Sequence, residues 1–79
     1  MEFWQVWRQV GTFRQLQQTT EYVQADDYGA ALDELNAAIE AGNSGFGPGY
    51  CDVKRVNGFP STFRGVPTRL VTSRPYIGT

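Results

Sequence analysis

The stretch "DYGAALDELNAAIEAGNSGFGPGY", residues 27 to 50, decides how this 79-residue chain folds, because it holds one amphipathic helix and the loop that ends it. Tyr28, Ala31, Leu32, Leu35, Ala38 and Ile39 recur at spacings of three and four, the period of a single buried helical stripe. The other side carries Asp33, Glu34, Asn36, Ala37 and Glu40. Asp26 or Asp27 can accept hydrogen bonds from the free amides of the first turn, and their charge complements its positive end. Gly42 can take the left-handed conformation that stops a helix, and Asn43, Gly45, Gly47 and Pro48 keep the chain from resuming one.

The glycines of "GNSGFGPGY" (42–50) invite comparison with a phosphate-binding loop, but the order of elements is wrong. Such a loop leaves a strand and enters a helix, aiming free amides at the anion. Here the glycines leave a helix, so the nearest helix end is the negative one, and the Gly-Lys-Ser/Thr ending is absent. The loop reads as a mobile connector with Phe46 as a small apolar tip. On that reading, alanine at Gly45 or Gly47 costs on the order of 1 kcal/mol each where φ is positive.

Outward from the helix the chain reads as strands. "EFWQVWRQV" (2–10) places Trp4, Val6 and Val10 on one face and Phe3 and Trp7 on the other. A second strand is clearest from Thr19 to Ala25, where Glu21, Val23 and Ala25 alternate with Thr20, Tyr22 and Gln24. "YCDVKRV" (50–56) alternates Cys51, Val53 and Arg55 against Tyr50, Asp52, Lys54 and Val56, and reads as a central strand. Asn57-Gly58 is a two-residue hairpin signal, leading into the short segments "STFRGV" and "TRLVTS", which Pro60, Pro67 and Pro75 assign to sheet edges. The expectation is an α+β fold in one domain, residues 1–79: a small antiparallel sheet in the order ββαββ, with room for one more strand, and one amphipathic helix packed on one face.

Composition narrows the chemistry. The chain has no histidine and a single cysteine, Cys51, so neither an intrachain disulfide nor an ordinary zinc site is available, and no cofactor or metal is expected. A lone thiol suits a reducing compartment, and no apolar run approaches a membrane span, which together indicate a cytoplasmic protein. Cys51 lacks the imidazole that makes a catalytic thiolate and reads as a small core residue. "DVK", Asp52 to Lys54, imitates part of a nuclease motif, yet the acids upstream of it, Asp26 and Asp27, sit where a helix needs a cap. The chain is expected not to be an enzyme.

Charge is segregated. Residues 1–51 carry seven acids against Arg8 and Arg14, a net of −5, while residues 52–79 carry Lys54, Arg55, Arg64, Arg69 and Arg74 against Asp52, a net of +4. Such a dipole steers association with a complementary surface. The basic residues interleave with Phe59, Phe63 and Tyr76, the mixture that single-stranded nucleic acid favours, although the acids of residues 26–40 oppose it. Exposed aromatics beside arginines are equally the anchors of protein interfaces.

The order "FWQVWRQ" (3–9), "EYVQADDYGAALDEL" (21–35), "GYCDVKRV" (49–56) resembles the very small early proteins of short-tailed bacteriophages that inhibit the host RNA polymerase. The pattern of strand, capped acidic helix and strand is also similar to that of small phage anti-CRISPR proteins. The resemblance implies an antiparallel sheet with one acidic helix, a host protein complex as partner (RNA polymerase or a defence effector), and the host cytoplasm as location. Arg55 falls on the arginine of the Val-x-Arg-Val strand that helps grip the target in the polymerase inhibitors; Asn57 replaces their second arginine, and residues 59–79 have no counterpart. The candidate contacts are therefore Arg55, Lys54 and Arg64 as cations, Asp33 and Glu34 as an acidic second face, and Trp7 and Phe46 as apolar anchors, with a small nucleic-acid-binding protein as the alternative.

Overall fold

A computed structural model describes residues 1–11, 15–47 and 50–74; Arg14, Pro48, Pro75 and Tyr76 lie outside these. The elements in chain order are β1 (Glu2–Val10), β2 (Gln15–Ala25), α1 (Tyr28–Glu40), β3 (Cys51–Val56), β4 (Thr62–Phe63), β5 (Val66–Pro67) and β6 (Arg69–Leu70). One four-stranded sheet has the order β3-β1-β2-β6, and β4 pairs with β5 in a separate two-stranded sheet. This is the expected α+β class with one helix on a mostly antiparallel sheet, but the segment after β3 gives three short strands where one or two were expected, and two of them, β4 and β5, stand apart from the main sheet.

β1 is hydrogen-bonded on both sides, antiparallel to β2 and to β3, so residues 50–56, which read as a central strand, form an edge and β1 lies inside the sheet. A strand inside the sheet is covered on both faces, which accounts for Phe3 and Trp7 on one side of β1 and Trp4 and Val6 on the other. Its front face, with Trp4 and Val6, joins Val23, Ala25 and Val53 beneath Ala31, Leu35 and Ala38 of α1, and Val71 closes this core. The Trp4 indole donates to the Ala25 carbonyl at 3.1 Å, so the polar end of this buried ring has a partner.

The helix begins as its sequence indicates. Asp27 is the cap: its backbone is extended and its carboxylate accepts from the Ala30 amide at 2.8 Å. At the other end Gly42 has φ +77°, its amide donates to the Ile39 carbonyl, and the Asn43 amide donates to the Ala38 carbonyl. That double bond is a Schellman ending, and it requires a residue that tolerates positive φ.

Beyond β3 the structure departs from expectation. Asn57-Gly58 does not form a hairpin; the two-residue turn is Arg64-Gly65, between β4 and β5, with φ of 52° and 77°. Positive φ at both central residues is the mark of a type I′ turn, which matches strand twist. After Gly58 the chain folds back instead of pairing, because Phe59 lays its ring against Phe3 and Tyr22, at centroid separations of 5.6 and 5.4 Å. Residues 57–68 thus cover one half of the sheet's back face, and Tyr22 and Gln5 are buried there. β6 then runs parallel to β2, the one parallel pairing, and the Val71 amide donates to the Tyr22 carbonyl at 2.8 Å.

An irregularity at Val6 also shapes the sheet. Gln5 pairs with Tyr22 and Trp7 with Gln18, so the single residue Val6 faces Thr19, Thr20 and Glu21. The Thr19 hydroxyl stitches the bulge, donating to the Val6 carbonyl at 2.7 Å and accepting from the Glu21 amide at 3.1 Å. Glu21, buried next to the bulge, stays on the core face with Val23 and Ala25.

Candidate functional site

The half of the back face that residues 57–68 leave open is the candidate site. Trp7 on β1, Leu16 on β2 and Asp52 and Lys54 on β3 line a shallow apolar depression there. The Lys54 ammonium sits over the Trp7 ring, 5.5 Å from its centroid, an arrangement in which the ring's negative face attracts the cation. Trp7 is only half-buried, yet its indole N–H is shielded from solvent without an acceptor. An unpaired donor of this kind costs about 1–3 kcal/mol.

Asp52 has two jobs at this margin. Its carboxylate accepts from the Tyr28 hydroxyl at 2.6 Å and from the Val53 amide at 2.8 Å. The Asp52 contact holds the Tyr28 hydroxyl above the ordinary tyrosine range, since ionisation would set two anions together. Asp52 is thus committed to helix and strand, as Asp27 is to its cap, and among the described residues no cluster of three or more acids or thiols could hold a metal ion. Burial pushes the Cys51 thiol up, partly offset by Arg8, which disfavours the nucleophilic thiolate.

The other candidate residues are scattered. Arg55 lies on the opposite face from Lys54, largely exposed, with its guanidinium 3.3 Å from Glu2. Arg64 occupies the β4–β5 turn, stacked on Phe63. Asp33 is exposed on α1. Glu34 is tied internally: its carboxylate accepts from the Thr72 hydroxyl, the Ser73 amide and the Ser73 hydroxyl. The Ser73 amide bond, chiefly, holds the Glu34 carboxyl below the ordinary glutamate range. Only Trp7 and Lys54 of the seven are brought together.

Phe46 is not a free tip. It packs against the core with the Arg8 guanidinium over its ring at 5.4 Å. The loop that carries it is pinned by Glu21, a residue 4% exposed whose carboxylate accepts from the Ser44 hydroxyl and the Gly45 amide, both at 2.5 Å. Glu21 alternates in phase with Val23 and Ala25, and an acid on a core face was the available sign of a buried carboxylate that needs donors. A connector with few contacts was expected; the structure shows one clamped at Ser44 and Gly45.

No helix among the described residues is long and apolar enough to cross a membrane. Comparison of the chain with protein-family models, with curated proteins and with solved structures finds no match.

Proposed function

We propose that this chain is a non-enzymatic inhibitor or adaptor, of the kind the phage host-takeover proteins exemplify, which docks on a host macromolecular complex in the cytoplasm through the open half of its back face. The observation that carries the reading is the Trp7–Lys54 pair. A half-buried tryptophan with an unpaired N–H lies under the exposed Lys54 cation, on a sheet face that the rest of the described residues cover only in part. Large aromatics that combine apolar area with a polar atom are the residues whose truncation costs most at interfaces. The absence of histidine and the commitment of Asp52, Asp27 and Glu34 to structural hydrogen bonds support a binding role over a catalytic one.

The experiment is affinity capture from bacterial lysate with wild type, Trp7→Ala, Lys54→Glu and Arg55→Glu, read by mass spectrometry. The reading expects subunits of one complex, RNA polymerase or a defence effector, retained by wild type and lost with Trp7→Ala and Lys54→Glu. Arg55 is on the other face; loss with Arg55→Glu alone transfers the contact to the β3 margin. Capture unaffected by both Trp7→Ala and Lys54→Glu contradicts docking through this face.

A second reading rests on the same aromatic–cation pairing, repeated at Arg64 over Phe63: bases stack on such rings while cations meet phosphates. It requires single-stranded DNA binding that persists at physiological salt and weakens with Trp7→Ala or Phe63→Ala.

A further inference from the structure

We infer that the chain pairs with a second copy of itself along the outer edge of β3, about a two-fold axis through Val53. β3 is the long edge strand of the main sheet, and among the described residues nothing pairs with its outer side. The ladder shows which backbone groups face outward. The Gln9 amide donates to the Tyr50 carbonyl, so alternate pairs along the ladder, Trp7 with Asp52 and Gln5 with Lys54, exchange hydrogen bonds. The intervening residues Cys51, Val53 and Arg55 turn their amides and carbonyls away from β1, toward the open edge. The Val53 amide confirms this, since it donates to the Asp52 carboxylate and not to β1.

The side chains of β3 match an antiparallel copy. With Val53 opposite Val53 of the second copy, Asp52 lies opposite Lys54 of that copy and Lys54 opposite its Asp52, all four on the back face. Directly opposite residues in a non-hydrogen-bonded pair approach to about 4.5 Å between Cα atoms, within reach of an ion pair. Cys51 lies opposite Arg55 of the second copy in a hydrogen-bonded pair, and Tyr50, an exposed ring, opposite Val56. Only Cys51, Val53 and Arg55 turn their backbone groups outward, so the register can shift only in steps of two residues, and such a step sets Asp52 opposite Asp52 in one direction and Lys54 opposite Lys54 in the other. The charge sequence Asp-Val-Lys is thus complementary to itself only in the register centred on Val53.

Asp52 sets a threshold for the pairing. In the single chain it occupies the Val53 amide, the middle donor of the edge, and the Tyr28 hydroxyl helps to hold it there. Pairing hands that amide to the Val53 carbonyl of the second copy and the carboxylate to Lys54. The exchange makes association concentration-dependent, and it blunts the edge against partners that bring no cation to Asp52. The inference is independent of the host complex and uses the purified protein alone.

Sedimentation equilibrium of wild type should show a mass rising with concentration from 8.8 kDa toward twice that value. Lys54→Glu and Asp52→Lys, each of which sets like charges opposite, should stay monomeric. The exchange variant Asp52→Lys/Lys54→Asp should recover association, because it restores two opposite-charge pairs. Arg55→Cys tests the register: under oxidation it should form a covalent dimer through Cys51 of the other copy, whereas Lys54→Cys, whose thiol is opposite no cysteine in this register, should cross-link no faster than wild type. A wild type that is monomeric at every soluble concentration overturns the inference, as does equal cross-linking of the two cysteine variants. Should Arg55→Cys fail to fold, a charge-exchange variant that folds but does not associate overturns it alone.

Discussion

Alanine at Gly45 offers the sharpest test of the clamped loop. A Cβ at this position would lie 2.8 Å from the Glu21 Oε2 atom, closer than any ordinary contact, and the backbone φ is not in the positive range, so the conflict is with the carboxylate alone. Glu21 cannot withdraw freely. It is almost wholly buried, and its two oxygens hold the Ser44 hydroxyl and the Gly45 amide. Accommodating the methyl group means stretching those charge-assisted bonds; overpacking of this kind costs about 1–3 kcal/mol, and a bond to a charged group contributes about 1.5–3 kcal/mol. Partial loss of each gives about 2 kcal/mol, which in a domain of this size lowers the melting temperature by roughly 8–16 °C. Gly47 is the control, since a Cβ there meets nothing within 4 Å. Gly47→Ala should be neutral or stabilise by about 0.5 kcal/mol through the unfolded chain. Urea unfolding of both variants, repeated in a Glu21→Asp background that draws the carboxylate back by about 1.5 Å, isolates the contact. The Gly45→Ala cost should shrink by about 1 kcal/mol or more in that background. Equal stabilities of the two alanine variants, or a cost indifferent to Glu21→Asp, would refute the clamp.

Three further outcomes follow from named contacts. Arg64 holds φ 52° in the β4–β5 turn, so Arg64→Asn, which makes the turn Asn-Gly, should raise stability by about 0.5 kcal/mol in thermal unfolding, the relieved strain exceeding the lost stacking on Phe63. Because hydrogen bonds hold the Glu34 carboxyl below its unfolded value, its contribution is present above the unfolded pKa and disappears as pH falls through the folded one; the protection factor of the Ser73 amide, the intrinsic exchange rate divided by the observed rate at the same pH, should therefore fall under acid, and Glu34→Gln should show the lower protection already at pH 7. Trp4→Phe removes the indole bond to the Ala25 carbonyl in the core and should cost about 1 kcal/mol more than Trp7→Phe, which removes a donor that has no partner among the described residues; equal costs by urea unfolding would contradict the assignment of the two rings.

The sequence by itself determined the features that depend on neighbours a few residues apart. The apolar spacing from Tyr28 to Ile39, an aspartate before it and Gly42 after it define a helix, because capping and the Schellman ending are closed by groups within one turn. The alternation of residues 2–10 marks a strand for a similarly local reason, since adjacent side chains must alternate across a sheet, but the place of a strand in the sheet is not local: residues 50–56 read as a central strand, and the ladder makes them an edge. Trp4 and Trp7 were separable onto opposite faces by parity alone. Tertiary structure decided everything that rests on partners distant in the chain. Asn57-Gly58 has the better local turn chemistry, yet packing the Phe59 ring against Phe3 and over the buried Tyr22 outweighs it, and the turn moves to Arg64-Gly65. The parallel placement of β6 arises because Glu34 and Asn43 of the helical segment and the Tyr22 carbonyl together capture residues 69–74. Phe46 leaves solvent because a buried carboxylate on β2 needs the donors of Ser44 and Gly45, and satisfying Glu21 draws the loop, and its ring, onto the core.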